Sequence, residues 1–305
     1  MTGNLPGKQP FNVVKDLGKP YRLWCKARTK GNPIVILVHG AVVPLPGAAH
    51  DLNTINNDKY CFYDLDSLLY HDFEYNVFTF EYADELIPGL GYVNYHNLEP
   101  HSKCLVEAIG FAKKSSEQPD GTVGPVTIIA HSMGGLIARC AAKMADGMIS
   151  MIITLDTGHL GFELAKVIKK IATAANITLP SSIGYEDEVL EGSDFLTKLN
   201  DKFNSDNPKL VSIAACDPVD ISSIVGIPLP VPGITVTALH SSSMRQVNDS
   251  GHRTDVNCNM SFYPLPNYNH ANIMQITDSN HCAYKVIQKY LGKDVNLCDP
   301  CPPQV

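Results

Sequence analysis

The stretch "VTIIAHSMGGLIARC", residues 126–140, places a serine between a strand-like apolar run and a helix-like pattern of apolar residues. The apolar run that ends at Ala130 is typical of a strand buried on both faces. Beyond Ser132, apolar residues recur at helical spacing from Leu136 onward. A strand that turns directly into a helix, with small residues such as Ala130 and Gly134 flanking a serine, is typical of a nucleophile elbow. We therefore predict Ser132 to be a nucleophile held above a sheet, rather than a serine that only caps a helix.

Apolar strands and helical stripes alternate along the rest of the chain. The predicted strands are residues 33–40, 75–82, 150–158, 209–217 and 260–265, and helices are predicted at 105–112 and 281–292. This alternation predicts an α/β fold with a mostly parallel sheet and helices on both faces. Residues 160–208 interrupt it with an apolar helical stripe, which favours a cap inserted between two strands over an ordinary crossover helix. Because ligands bind at the carboxyl ends of the strands in such sheets, we expect the cap to cover the site.

Four motifs, in the expected order along the chain, resemble those of the lipase-like serine hydrolases of the α/β-hydrolase fold. "AHSMGG" is similar to the elbow of that family, "VILVHG" to its oxyanion strand and "NHANIM" to its histidine loop. "TLDTGHLG" resembles its T-x-G-T-P-H-x-G motif, with Asp156 and Gly158 in place of the usual Gly and Pro. The resemblance implies one α/β-hydrolase domain over residues 1–305, with a cap at 160–208. It also implies hydrolysis of a carboxylic ester through a Ser-His-Asp triad and an acyl-enzyme.

A nucleophilic serine requires a general base, and in this fold the histidine follows the acid along the chain. The histidines beyond the predicted cap are His240, His252, His270 and His281. His270 follows a predicted strand and resembles the loop histidine of the family, so we predict it to be the base. His281 is the rival, although a polar residue at the start of a closing helix is commonly only a cap. The sequence pattern assigns no structure to the segment that contains the other two.

The acid that orients the imidazole has three candidates. Asp217 ends the strand that follows the cap. The resemblance implies an acid at this position, because some lipases of the family carry their acid one strand later than Asp156. We predict Asp217 to be the acid. Asp220 follows closely and is an alternative. Asp156 is a serious competitor, because it ends the strand directly after the elbow helix, where pancreatic-type lipases of this fold carry their acid.

The negative charge that develops on the substrate oxygen requires hydrogen-bond donors. The elbow supplies the backbone N–H of Met133, which follows the nucleophile at the start of a helix. The resemblance places a second donor just after "HG", which makes it the backbone N–H of Ala41. We interpret the preceding His39 as a hydrogen-bonded structural residue.

The composition of the chain indicates which classes of binding partner and substrate to expect. The 24 Lys and Arg and 31 Asp and Glu residues give a formal net charge of −7 without any basic run, so nucleic acid is not an expected partner. No apolar run reaches the roughly 18 residues of a transmembrane helix. We expect a small, hydrophobic ester or acyl substrate, and neither a cofactor nor a metal. The same site would suit acyl transfer, thioester hydrolysis or cyclisation, and a non-catalytic hydrolase-like binding protein is the alternative from another class.

Cysteine content and glycosylation sequons leave two locations open. The polar N-terminus lacks the apolar region of a signal peptide, which favours a cytoplasmic protein. The 9 cysteines and the sequons at positions 176, 248 and 259 would equally suit a mature secreted domain. Cys104 and Cys140 are predicted to be free thiols packed on helices. The tail segment "CDPC", residues 298–301, is predicted to hold a local disulfide or two free thiols.

Overall fold

Short apolar segments of the chain form the strands of a central sheet, and segments with an apolar stripe form helices around it. The structure, a computed structural model, describes residues 12–17, 21–25, 29–40, 62, 64–82, 85–87, 91–93, 98–162, 188–190, 192–201, 208–218, 245–247, 253–255, 260–270 and 272–299. The strands among them are β1 (Asn12–Asp16), β2 (Arg22–Cys25), β3 (Ile34–Val38), β4 (Asn76–Glu81), β5 (Glu85–Ile87), β6 (Gly91–Val93), β7 (Val126–His131), β8 (Met151–Leu155), β9 (Lys209–Ala215), β10 (Arg245–Val247), β11 (Arg253–Asp255) and β12 (Met260–Leu265). The helices are α1 (Leu65–Phe73), α2 (Leu98–Ser116), α3 (Met133–Met144), α4 (Asp194–Asp201) and α5 (Cys282–Tyr290).

The central strands of the main sheet run parallel to one another. The order of this sheet is β1-β2-β4-β3-β7-β8-β9-β12. Strand β2 pairs antiparallel with β1 and β4, and every other neighbouring pair in the sheet is parallel. Strands β5 and β6 form one separate antiparallel pair, and β10 and β11 form another. The predicted α/β class with a mostly parallel sheet is confirmed, and the carboxyl ends of β7, β8, β9 and β12 share one edge.

Helices cover both faces of this sheet. In β3, Ile34, Ile36 and Val38 belong to one apolar cluster, whereas Val35 and Leu37 belong to another. This alternation is expected of a strand that is buried on both sides. The first cluster includes residues of α2 and α3, and the second includes residues of α1 and α5. Each apolar stripe that predicted a helix at 105–112 or 281–292 therefore faces the sheet.

The segment predicted to be a cap, residues 160–208, connects β8 to β9. The structure describes helix α4 within it, and residues 163–187 lie outside the described residues. Helix α4 is attached to the elbow helix, because the ammonium of Lys143 on α3 donates to the carbonyl oxygens of Lys198 and Leu199 at 3.1 and 2.8 Å. The insertion lies between two parallel strands as expected, and its function as a cap stays a prediction.

Disulfides and free thiols both occur among the described cysteines. Cys282, at the start of α5, is bonded to Cys298, and Cys216 is also disulfide-bonded. The free thiols among the described residues are Cys25, Cys104 and Cys140. The two helical cysteines that were predicted to be free are therefore free. The prediction for the tail was wrong for Cys298, because its partner lies on the closing helix, 16 residues away, rather than within "CDPC".

Candidate active site

Ser132 is the single residue between strand β7 and helix α3. Its backbone has φ 53° and ψ −128°, a conformation that residues with a Cβ rarely adopt. The N–H of Ser132 donates to the carbonyl oxygen of Leu155 at 3.0 Å. Its own carbonyl oxygen accepts the Thr157 hydroxyl at 2.8 Å and the Gly135 N–H at 3.0 Å. These hydrogen bonds hold the strained turn at the carboxyl edge of the sheet, which is the position that the elbow pattern predicts.

Two consecutive glycines allow the elbow helix to approach its neighbours closely. A Cβ on Gly134 would collide with the carbonyl oxygen of His39 and would lie 2.6 Å from that of Val38. A Cβ on Gly135 would collide with the side chain of Thr157. The first turn of α3 therefore packs directly on the end of β3 and on the residues that follow β8. This packing explains why "HSMGG" ends in two residues without side chains.

Of the two predicted oxyanion donors, Met133 directly follows Ser132 in the chain. The backbone N–H of Met133 begins helix α3 and has no hydrogen-bond acceptor among the described residues. An N–H at this position has no partner within its own helix. A Cβ on Gly40 would lie 2.7 Å from the Cβ of Ser132, so the end of β3 is packed against the nucleophile. Ala41, the second predicted donor, comes next in the chain and lies outside the described residues.

The imidazole of His270 is paired with the carboxylate of Asp156. Nδ1 of His270 lies 2.7 Å from Oδ2 of Asp156, and the Asp156 side chain is only 2% exposed. The other carboxylate oxygen, Oδ1, accepts the N–H of Ala215 at 3.0 Å. The backbone N–H of Asp156 donates to the carbonyl oxygen of Ile213 at 2.7 Å. Strand β9 thus fixes the carboxylate, and the pairing leaves Nε2 of His270 as the ring nitrogen that can accept a proton.

Asp156, and not Asp217, is the carboxylate that the structure brings to His270. Asp217 is exposed after β9, its N–H donates to the carbonyl oxygen of Tyr268 at 2.8 Å, and its carboxylate makes no hydrogen bond to His270 in the described structure. Asp220 lies outside the described residues. Strand order explains the difference, because β8 is adjacent to the nucleophile strand β7, whereas β9 is one strand further away. The signal in the sequence was the carboxylate that replaces glycine in the "TLDTGHLG" motif.

His281, the rival histidine, is not placed against this carboxylate. His281 lies at the N-terminus of α5 with its ring packed against Tyr268, at 4.7 Å between centroids. Burial lowers the pKa of His281. The histidines that lie outside the described residues are His240 and His252. Among the described candidates, His270 is therefore the one that is hydrogen-bonded to a carboxylate.

His39 stabilises the end of β3 beside the nucleophile. Its ring is stacked on Tyr82 at 4.1 Å between centroids, and the Tyr82 hydroxyl donates to the His39 carbonyl oxygen at 2.6 Å. Nδ1 of His39 donates to the carbonyl oxygen of Gly40 at 2.7 Å. Burial lowers the pKa of His39 to about 4, so the ring is neutral near pH 7. These contacts agree with the interpretation of His39 as a structural residue.

His131 is a site residue that reasoning from the sequence missed. It is buried at the end of β7, and its Nε2 lies 2.9 Å from the backbone carbonyl oxygen of His270. The two rings are in contact, with 4.8 Å between centroids. Burial holds the pKa of His131 well below its usual range, and the neighbouring His270 lowers it further. The only signal in the sequence was a polar residue that directly follows the apolar run "IIA" at the last position of the strand.

The nucleophile and the histidine share one edge of the sheet without a direct hydrogen bond. Ser132 follows β7 and His270 follows β12, and within the described residues no hydrogen bond joins the Ser132 hydroxyl to the imidazole. Catalytic hydrogen bonds of this kind are often long in free enzymes and shorten when the substrate binds. The arrangement therefore brings the strained serine, the histidine and its carboxylate to one edge of the sheet. Among these described residues, the hydrogen bond between the serine hydroxyl and the imidazole is the one that is not formed.

A buried polar cluster joins the elbow helix α3 to α4 and β8. Arg139 on α3 is fully buried and donates to the side-chain oxygen of Asn200 on α4 at 2.8 Å. Its guanidinium also lies 3.4 Å from Nδ1 of His159, whose Nε2 lies 3.2 Å from the Thr154 hydroxyl on β8. Burial lowers the pKa of His159 well below its usual range, and the guanidinium lowers it further. The histidine of "TLDTGHLG" is thus a neutral link between β8, the elbow helix and α4.

The described part of the chain contains neither a metal-binding cluster nor a helix that could span a bilayer. There, no group of three or more His, Cys, Asp and Glu side chains is arranged to hold a metal ion. None of the described helices combines the length and the hydropathy that a bilayer-spanning helix requires.

Comparison with known proteins identifies the fold of the chain. The family described as "PGAP1-like alpha/beta domain" matches residues 28–177, about half of the chain, including Ser132 and Asp156. A solved structure of phospholipase PlaB from Legionella pneumophila in complex with thio-NAD is similar with a TM-score of 0.60 at 17% sequence identity. That match covers 86% of this chain and 59% of PlaB. The chain has the α/β-hydrolase fold.

Other α/β-hydrolase structures match over most of their own length. The peroxisomal alpha-beta-hydrolase Lpx1 from Saccharomyces cerevisiae has a TM-score of 0.53 at 11% identity, covering 95% of this chain and 88% of Lpx1. The lipase BlEst2 from Bacillus licheniformis has a TM-score of 0.50 at 13% identity, covering 87% of this chain and 94% of BlEst2. No curated protein sequence matches the chain. These α/β-hydrolase structures confirm the fold that the sequence motifs implied.

Proposed function

We propose that this α/β-hydrolase cleaves carboxylic esters with Ser132 as nucleophile, His270 as general base and Asp156 as the acid that orients the histidine. The hydrogen bond of 2.7 Å between His270 and Asp156, at the same sheet edge as the strained serine, carries the proposal. It replaces Asp217 by Asp156 in the predicted triad. The phospholipase PlaB and the lipase BlEst2 among the similar structures support hydrolysis of an ester as the class of reaction.

The roles follow from the position of each group. The Ser132 hydroxyl attacks the ester carbonyl carbon while Nε2 of His270 takes its proton. Asp156 holds the Nδ1–H of His270 and stabilises the imidazolium that forms. The backbone N–H groups of Met133 and Ala41 are the proposed donors to the tetrahedral oxyanion. His270 then returns the proton to the leaving alcohol, and water attacks the acyl-enzyme by the same route in reverse.

A fluorophosphonate probe tests the assignment of the nucleophile. The wild-type protein should be labelled and should hydrolyse p-nitrophenyl esters, whereas Ser132→Ala should lose labelling and lower kcat by roughly 10⁴ or more. The melting temperature should stay nearly unchanged, because the substitution removes one oxygen. Ser115→Ala, on the outer helix α2, is the matched control and should behave as wild type. Labelling that persists in Ser132→Ala would overturn the proposal, and a wild type that neither labels nor turns over would favour a binding protein.

We further propose that residues 160–208 cover the site and select a hydrophobic acyl or alkyl group. The apolar stripe predicted around Val167 and Ile171 motivates this, together with the attachment of α4 to the elbow helix. A charged residue in the stripe would disfavour long chains, so Ile171→Glu should raise KM for p-nitrophenyl octanoate more than for the acetate. Lys170→Glu is the control and should shift both esters equally. Equal effects of Ile171→Glu on both esters, or loss of folding, would instead indicate a core helix.

The cytoplasmic location stays a prediction. The disulfide between Cys282 and Cys298, and the disulfide-bonded state of Cys216, support the secreted alternative. Disulfides persist in oxidising compartments and are rare in the cytosol, where thiols are kept reduced.

A further inference from the structure

His131 lies between two parts of the site and contacts both of them. On one side, its Nε2 is 2.9 Å from the carbonyl oxygen of His270, and the two rings are 4.8 Å apart between centroids. On the other side, a Cβ on Gly40 would lie 2.9 Å from Nδ1 of His131. The side chain therefore bridges the end of β3, the strand that carries the nucleophile and the loop that carries the base.

The hydrogen bond to His270 determines the protonation of the His131 ring. A backbone carbonyl oxygen only accepts hydrogen bonds, so Nε2 of His131 must carry a hydrogen atom. Burial disfavours the charged imidazolium and lowers its pKa well below the usual range, and the nearby His270 acts in the same direction. The ring is therefore neutral, with its hydrogen on Nε2 and its lone pair on Nδ1.

The loop around His270 needs an anchor on the nucleophile side. Its own closure comes from a reciprocal pair, in which the Asn272 N–H donates to Asn269 Oδ1 at 3.0 Å and the Asn269 N–H donates to Asn272 Oδ1 at 2.7 Å. Asp156 then holds the imidazole of His270 from the β8 side. The hydrogen bond from His131 joins the same loop to β7, the strand that leads into Ser132.

We infer that His131 is a positioning residue for the base. Its neutral Nε2–H holds the backbone of His270, so that the imidazole is in register with both Asp156 and Ser132. This inference rests on the proposed function, since it assigns His131 a part in the reaction only if His270 is the base. A displacement of about 1 Å at a reacting group can cost roughly 10²-fold in rate, which sets the scale of the expected effect.

A pair of amide substitutions separates positioning from mere packing. The amide of Gln reaches about as far as Nε2 of histidine, whereas the amide of Asn ends near Nδ1. His131→Gln should therefore keep kcat within a few-fold of wild type, and His131→Asn should lower kcat by roughly 10- to 100-fold. KM and the melting temperature should change little in His131→Gln. Equal kcat values for the two variants, or losses of kcat that follow losses of melting temperature, would overturn the inference.

A measurement on the wild-type protein tests the same point without any variant. In protein labelled with ¹⁵N-histidine, the ring that contacts His270 should show a protonated Nε2 and a bare Nδ1 at pH 7. A ring protonated on Nδ1 or on both nitrogens would overturn the inference. The Ser132→Ala variant distinguishes a failure of the proposed function from a failure of the positioning role. If Ser132→Ala keeps full esterase activity, the proposed function is wrong. If Ser132→Ala is inactive but His131→Gln and His131→Asn have equal kcat values, only the positioning role is wrong.

Discussion

Ser132 and Asp156 both hold backbone conformations that residues with side chains rarely adopt. Their φ angles are 53° and 48°, and such conformations cost on the order of 1–3 kcal/mol each. Both are held by hydrogen bonds to a neighbouring strand: the N–H of Ser132 donates to the carbonyl oxygen of Leu155, and the N–H of Asp156 donates to that of Ile213. Neighbouring parallel strands thus stabilise two strained turns, and each turn directs a side chain toward the same edge.

The acid is tested by an isosteric change at Asp156. Asp156→Asn keeps the shape of the side chain and an oxygen for the Ala215 N–H, but its amide can donate to Nδ1 of His270 and so favours the wrong tautomer. The kcat for p-nitrophenyl esters should fall by about 10⁴. Stability, measured by thermal unfolding, should fall much less than activity.

Asp217→Asn is the control for that change. Asp217 is exposed and its carboxylate is not bonded to the imidazole, so kcat should stay within roughly a factor of three of wild type. An inactive Asp217→Asn combined with an active Asp156→Asn would show that Asp217, the residue predicted from the sequence, is the acid.

Two glycines on neighbouring helices should respond to alanine in opposite directions. A Cβ on Gly134 of α3 would meet the backbone carbonyls of β3, which cannot move aside, so Gly134→Ala should destabilise by about 1–3 kcal/mol. A Cβ on Gly110 of α2 would meet nothing within 4 Å, so Gly110→Ala should stabilise the helix by roughly 0.5–1 kcal/mol. Urea unfolding midpoints measure both changes. A tolerated Gly134→Ala would contradict the close approach of the elbow helix to β3.

The central elements could be predicted from sequence because burial on both faces leaves a simple pattern. Strands β3, β7 and β9 are predominantly apolar, and the stripe on the closing helix α5 repeats at helical spacing. Strands β1 and β2, at one side of the main sheet, were not predicted. They are short and antiparallel, and their apolar runs, "VV" in β1 and "LWC" in β2, are too brief to distinguish from a loop.

The site could be predicted only in part, because contacts between distant loops leave no local pattern. The elbow that presents Ser132 is encoded within six residues, and the histidine loop follows a readable strand. The choice between Asp156 and Asp217 depends on which strand lies beside β7, and sequence spacing does not encode strand order. The contact of His131 with His270 spans 139 positions, so no periodicity could reveal it.

At the scale of the whole molecule, the closing helix joins distant parts of the chain. Asp72, at the end of α1, accepts hydrogen bonds from Tyr284 at 2.9 Å and from Gln288 at 3.0 Å. The ammonium of Lys293 lies 3.0 Å from the same carboxylate, and the Cys282–Cys298 disulfide ties the following tail to the helix. Because α5 follows the His270 loop directly, this anchorage also limits how far that loop can move from the sheet.

Three of the buried histidines should make the stability of the whole molecule sensitive to mild acid. The rings of His39, His131 and His159 are buried, and burial lowers the pKa of each, to about 4 for His39. In the unfolded chain a histidine titrates near 6.5. Between the two values the unfolded state binds protons that the folded state does not, so acidification favours unfolding.

The free energy of unfolding should therefore be fully retained above about pH 6.5 and should fall as the pH is lowered toward 4. His39 alone contributes a loss of roughly 3 kcal/mol across that range, and His131 and His159 act in the same direction. Urea denaturation at intervals from pH 7.5 to pH 5 measures the slope, above the range in which most carboxylates titrate. His39→Gln removes one of these titrating groups, so its slope should be shallower than that of the wild type. A stability that is constant or rises on acidification over this range would contradict the expectation that burial keeps these rings from taking up protons in the folded protein.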